Sequence, residues 1–168
     1  MSGPSTAATF DTQLFDGASM SLADGLRHLR LSGRWRADLV WLARLVAIPA
    51  MAKDLGLAAS DAELQAAVDE FRRGNDLLDA SAARKWLDEH GFTLEQLEEH
   101  LEVRVLAHKL KDRIRSGPRV DAYVRDNPSA FQKAPDAEAK EQVVGVLLEQ
   151  DLVAYLEKRG IREAPIRA

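Results

Sequence analysis

Apolar residues in this chain recur at three- and four-residue intervals, and no segment alternates convincingly with period two. That feature restricts the chain to helices, because a half-buried strand presents its apolar residues at every second position. The helical segments are also punctuated. Ser60-Asp61-Ala62-Glu63 and Thr93-Leu94-Glu95-Gln96 are capping boxes, in which the Ser or Thr hydroxyl accepts from an amide three residues on and the Glu or Gln reaches back. Gly33, Gly56, Gly74, Gly91 and Gly160 stand where periodic segments end. The expected fold class is all-α, a bundle of about six to seven helices.

The spacing places a first helix from Ser19 or Ser21 to Ser32-Gly33, with Leu22, Leu26 and Leu29 as its buried stripe. A second covers residues 34–55. Its apolar residues, including Trp35, Leu39, Val40, Trp41, Leu42, Leu45, Val46, Ile48 and Met51, go almost all the way round, as expected of a helix in the middle of a domain. Pro49 lies inside it, where it removes an amide and leaves the Leu45 carbonyl without its usual partner; a kink that fits the bundle and a widened binding gap are both open. Helices over 61–73, 80–90, 93–115, 120–126 and 136–159 follow. In the fifth, Leu94, Leu97, Leu101, Val105 and His108 share one face, and Val103, Leu106, Leu110 and Ile114 lie nearly opposite. Its second half should therefore touch partners on two sides, like a central bundle helix.

A chain of 168 residues suits one domain with a real core. Residues 1–18 read as a flexible tail and 19–168 as a single helical domain, with 132–137 as a linker before the last helix. Net charge is −4, and the basic stretches Arg27-His28-Leu29-Arg30 and Lys109-Leu110-Lys111-Asp112-Arg113 are broken by apolar residues, so they read as solvated helix faces and no nucleic acid is expected. The longest apolar run, residues 39–52, is broken by Arg44 and falls short of the about 18 residues a membrane span needs. No basic, then apolar, leader pattern opens the chain, and there are no cysteines, so a soluble cytoplasmic protein is expected.

The reactive residue types do not assemble into a known chemistry. His28, His90, His100 and His108 form no His-x-x-x-His pair, and Glu95, Glu98, Glu99 and Glu102 sit favourably near a helix N-terminus, so no metal is expected. Neither a glycine-rich phosphate loop nor a nucleophile elbow is present, and no cofactor is expected. His108 stands apart because it falls on an apolar stripe. Most such histidines are satisfied core residues, whereas one opening into a pocket serves as acid or base.

Four segments, in order, resemble the SurA-like foldases. AMAKDLGLAASDAELQAAVDEFRR (50–73) is similar to the segment where a helix closes in a glycine turn before a Ser-Asp-x-Glu-Leu helix start. GFTLEQLEEHLEVRVLAHKLKDRI (91–114) resembles their next cap and long helix, and VDAYVRDNPSAF (120–131) the Tyr-x-x-x-Asn-x-x-x-Phe exit from the N-terminal chaperone module. EAKEQVVGVLLEQDLVAYLEKRGIREAPI (138–166) looks like the C-terminal helix that returns to complete that module. In those foldases a parvulin-type prolyl isomerase domain sits between the last two segments; here only residues 132–137 occupy that place. The resemblance implies a peptide-holding module that lacks the isomerase. Ile48-Pro49 stands where relatives carry polar or acidic residues, which implies a specialised groove. Some SurA-like proteins without export signals accompany peptide natural-product maturation systems, so the resemblance implies such a setting as one expectation.

The expectation is a non-enzymatic chaperone or substrate-presenting protein for an unfolded polypeptide. Trp35, Leu39, Leu42, Pro49 and Met51 would form its groove, and Arg34, Arg36 and Arg44 its charged rim. The rival is a small helical enzyme whose inter-helix cavity uses His108 or His28 as acid or base. A homodimer is the third reading.

Overall fold

The computed structural model describes residues 21–131 and 136–161, apart from the side chains of Leu22, Ala23, Arg36, Ala37 and Asp136. The fold is all-α. Its helices are α1 (Leu22–Leu31), α2 (Trp35–Asp54), α3 (Asp61–Gly74), α4 (Ala80–His90), α5 (Leu94–Arg115), α6 (Arg119–Asp126) and α7 (Asp136–Lys158), with a 3-10 turn at Pro128–Ala130. The expected tail over 1–18 lies outside the described residues. Of the linker at 132–137, residues 132–135 lie outside them too, and 136 and 137 open α7.

Local chemistry sets most of these boundaries. Ser60 Oγ accepts from the Glu63 amide at 3.4 Å while Glu63 Oε2 accepts from the Ser60 amide at 2.8 Å. For α5, Thr93 Oγ1 accepts from the Gln96 amide at 3.1 Å and Gln96 Oε1 accepts from the Thr93 amide at 2.9 Å. Asp79 caps α4 by accepting from the Ala82 amide at 2.8 Å. Gly91 closes α4 at φ +69, a left-handed conformation that costs glycine nothing, and lets the Phe92 amide reach the Leu87 carbonyl at 2.9 Å. The end of α3 differs from expectation. Gly74 is its last helical residue, and the left-handed position falls on Asp76 at φ +56. Asp tolerates that region better than most side chains, and Arg72 holds the turn by donating to the Leu77 and Leu78 carbonyls at 3.0 and 2.9 Å.

The chain forms two compact units, Met1–Ala43 and Arg44–Ala168. In the first, Ser21 caps α1 through the Asp24 amide at 3.2 Å, and Asp24 pairs with Arg27 at 2.6 Å. Gly33, at φ +74, makes the turn into α2.

The second unit holds the core. Ala47, Ile48 and Ala52 of α2 meet Leu106, Leu110 and Ile114 of α5, Val120 of α6, and Val143, Val144, Leu147, Leu148 and Leu152 of α7. The last helix is central: α5 and α6 both pack along it. Arg115 of α5 reaches Glu141 at 2.8 Å, and Arg119 of α6 grips Asp151 with two hydrogen bonds at 2.8 and 2.9 Å. Lys140 pairs with Asp121 at 2.9 Å. Arg44 lies 2.7 Å from Glu149, and Asp54 accepts from Tyr155 Oη at 3.0 Å and from Arg159, so this stretch of α2 runs parallel to α7. Lys109–Glu63 at 2.8 Å and Arg104–Glu70 at 4.0 Å set α3 antiparallel to α5.

The place expected for the second helix, wrapped on all sides, is corrected. Its fully covered residues are Ala47, Ile48 and Ala52, whereas Val40, Trp41, Leu42 and Val46 are 42–57% exposed. In the second unit the two alanines are completely covered within the core cluster, whereas the larger Val46 is exposed. An apolar count around a helix does not decide which sides are covered.

Glu63 provides a test of the α3–α5 joint. The Lys109 ammonium, then the Ser60 amide and hydroxyl, hold its carboxyl at about 2, well below the ordinary value near 4.5. A depressed carboxylate stabilises the fold above its unfolded pKa, and that contribution fades as pH falls through the folded value. Glu63→Gln should therefore melt below the parent chain near neutral pH. Between about pH 4.5 and 2 the two melting curves should converge; a gap independent of pH would show that the carboxylate plays no such part.

Candidate functional site

The residues expected to form one groove belong to two units. In the first, Trp35 and Leu39 are half-buried, Leu42 is 42% exposed and Arg34 is exposed. The Arg36 side chain lies outside the described residues. Val40 and Trp41, which the sequence reading left out of the groove, stand beside Leu42 at 49% and 48% exposure. Their signal was already legible in the consecutive apolar residues 39–43. Three consecutive residues point to three directions around a helix, 100° apart, so no single partner helix covers all of them.

In the second unit, Pro49 is half-buried and Met51 packs against the core cluster. Arg44 is engaged with Glu149, and its Nε is buried without a hydrogen-bond partner among the described residues. These three residues sit where α2 meets the core.

The histidines are dispersed. His28 is exposed in the last turn of α1. His90 stacks on Trp86 with ring centroids 4.2 Å apart, and its Nδ1 lies 2.8 Å from the Trp86 carbonyl, which can only accept. Phe71 meets Trp86 edge-on, with ring centroids 5.3 Å apart. His108 is exposed, although Leu101, on the same expected stripe, is fully buried. It lines an open cleft of about 280 Å³ with Ala67 and Glu70 of α3 and Arg104, Val105, Ala107 and Lys111 of α5. The cleft opens to solvent, so it provides contact surface and charge but little exclusion of water.

Arg104 and Lys111 are the residues sequence reasoning missed here. With His108 they fall at i, i+4 and i+7 on one helical face. That spacing is readable in the sequence; the facing Ala67 and Glu70 are not, because they come from a different helix.

Asp54 carries a second charged joint, where hydrogen bonds from Tyr155 and then Arg159 hold its carboxyl below the usual carboxylate range. Burial, followed by the hydrogen bond to Asp54, pushes the Tyr155 phenol up. Both groups tie the end of α2 to α7 in a fixed contact.

Among the described residues no group of three or more His, Asp or Glu side chains is placed to hold a metal ion, and no helix is long and apolar enough to cross a membrane. No protein-family model matches the chain, and comparison with curated proteins and with solved structures gives no match.

Proposed function

We propose that this protein is a non-catalytic, chaperone-like module that holds an unfolded polypeptide or leader-type segment. The observation that carries this reading is the exposure of Val40, Trp41 and Leu42 on α2, each at 42–49%. Large apolar side chains at a surface lose contact with water when a client covers them, and Trp is the residue type most often found at energetic hot spots. The resemblance of four segments to the SurA-like chaperone module supports the same reading, as does the short seam at 132–137 in place of an isomerase domain. A cytoplasmic peptide-maturation system is the proposed setting.

The rival, acid–base chemistry at His108, draws on the cleft that this residue lines. The exposed ring and the opening to solvent suit surface contact better than proton transfer, which gains from a water-excluded site.

Calorimetric titration with unfolded, apolar-rich peptides tests the proposal. The chain should bind, and Trp41→Ser/Leu42→Ser should weaken binding at least about tenfold, the effect expected for an anchor worth 1.4 kcal/mol or more. Its helical circular dichroism should be unchanged. A variant that binds as tightly as the parent, or a parent that binds none of the peptides, would count against it. Light scattering on the same samples distinguishes a monomer from the homodimer.

A further inference from the structure

We propose that the cleft between α3 and α5 seats a carboxylate side chain of an acidic peptide segment. The proposal names the chemistry of the client and rests on the peptide-binding reading above for the ligand being a peptide.

Size restricts the occupant first. At about 280 Å³, the cleft lies just below the range of pockets that enclose a drug-sized molecule. It accommodates one or two side chains and is too small to enclose a nucleotide. Ala67 and Ala107 leave the space open, and Val105 gives it an apolar wall for the methylenes of a Glu or Asp residue.

Charge then selects the chemistry. Arg104, His108 and Lys111 lie along one face of α5, spanning about 10 Å at 1.5 Å per residue. The one carboxylate in the lining is Glu70, and its distance of 4.0 Å from Arg104 is longer than a charge-assisted hydrogen bond of about 2.8 Å. Arg104 therefore retains donor capacity for a closer partner. Lys111 is half-buried and takes part in no ion pair among the described residues, whereas Lys109, two positions earlier, is satisfied by Glu63 at 2.8 Å. A partly desolvated cation without a counter-ion gains most from an incoming anion. Two fixed cations and one resident carboxylate favour a single negative charge, and Glu70 would repel a polyanion such as nucleic acid. A chain of net charge −4 likewise has no overall field that attracts phosphate backbones.

Glu70 occupies the position of a weak internal competitor. An arriving carboxylate replaces it at Arg104, so removing its charge should strengthen binding. A merely structural Glu70 would have no such effect.

The test is a titration of the full chain, followed by amide NMR, with acetyl-Ala-Glu-Ala-Ala-amide, its Gln counterpart and free glutarate. Saturable shifts are expected at Ala67, Val105 and Ala107 with the Glu peptide. The Gln peptide should bind at least about tenfold more weakly, as should Arg104→Met/Lys111→Met with the Glu peptide. Glu70→Gln should tighten the Glu peptide severalfold, and raising salt until the screening length falls from about 10 to 3 Å should weaken it. Equal binding of Glu and Gln peptides, shifts outside the cleft, or an unchanged Glu70→Gln affinity would overturn the proposal. Glutarate binding as tightly as the peptide would overturn the assignment to a peptide. Trp41→Ser/Leu42→Ser should leave these shifts intact, so failure here with apolar peptides still bound refutes this inference alone, and the reverse pattern refutes only the α2 reading.

Discussion

A chain that stops at Phe131 is expected to lose cooperative unfolding. Such a chain lacks α7, which supplies Val143, Val144, Leu147, Leu148 and Leu152 to the core, each at most 4% exposed. Burial of a Val or Leu side chain contributes about 1.5–3 kcal/mol, so the five together approach or exceed the about 5–15 kcal/mol by which a whole domain is stable. Removal also exposes the faces of α5 and α6 that pack along α7, and leaves Arg115, Arg119 and Asp54 without Glu141, Asp151 and Tyr155. Those exposed ion pairs contribute little individually; the lost apolar area decides the outcome. Urea titration followed by circular dichroism should show a broad, baseline-free decline in place of a sigmoid. A synthetic peptide of residues 136–158 added in trans should restore the transition. A truncated chain that still melts cooperatively, within about 5 °C of the full one, would show that α7 is dispensable.

The second large effect separates the two stripes of α5. Leu110 is 1% exposed within the core cluster, and Leu110→Ala should cost about 2–5 kcal/mol, the lost transfer energy plus the cavity left behind. For a chain of this size that lowers the melting temperature by roughly 5–15 °C. Val105 is half-buried beside the cleft, so Val105→Ala should cost about 1 kcal/mol or less. On a helical wheel both positions belong to apolar stripes of similar standing. Equal destabilisation by the two substitutions would mean that the cleft is closed in solution and that its wall belongs to the core.

The contrast also bears on the proposed seat. A binding surface needs side chains that can change partners at little cost to the fold, and Val105, His108 and Lys111 have that character. Leu106, Leu110 and Ile114 hold α5 in place from the other side, at 8% exposure or less. The second half of α5 thus anchors itself through Leu106, Leu110 and Ile114 and leaves Val105 half-buried and His108 exposed beside the cleft.

The join between α6 and α7 was legible only in part. Asn127 ends α6 and Pro128 opens a 3-10 turn, as the Asn-Pro pair predicts, and α7 starts at Asp136. That α7 returns through the middle of the second unit depends on contacts between residues far apart in the chain, such as Arg119 with Asp151, which no local pattern records.

The sequence by itself determined the all-α class, the capping boxes at Ser60 and Thr93, the glycine stop at Gly91 and nearly every helix boundary. These are short-range effects, in which a hydroxyl, a carboxylate or a missing Cβ acts within about four residues of itself. Only the tertiary structure decided that Ala47 and Ala52 are covered while Trp41 and Val46 are not, that Met51 packs against the core, and that His108 lies on an open rim. Periodicity marks a side as apolar, but burial requires another helix to lie against it. Which helices meet is set by the summed packing of the whole unit, and that sum is written in no single segment.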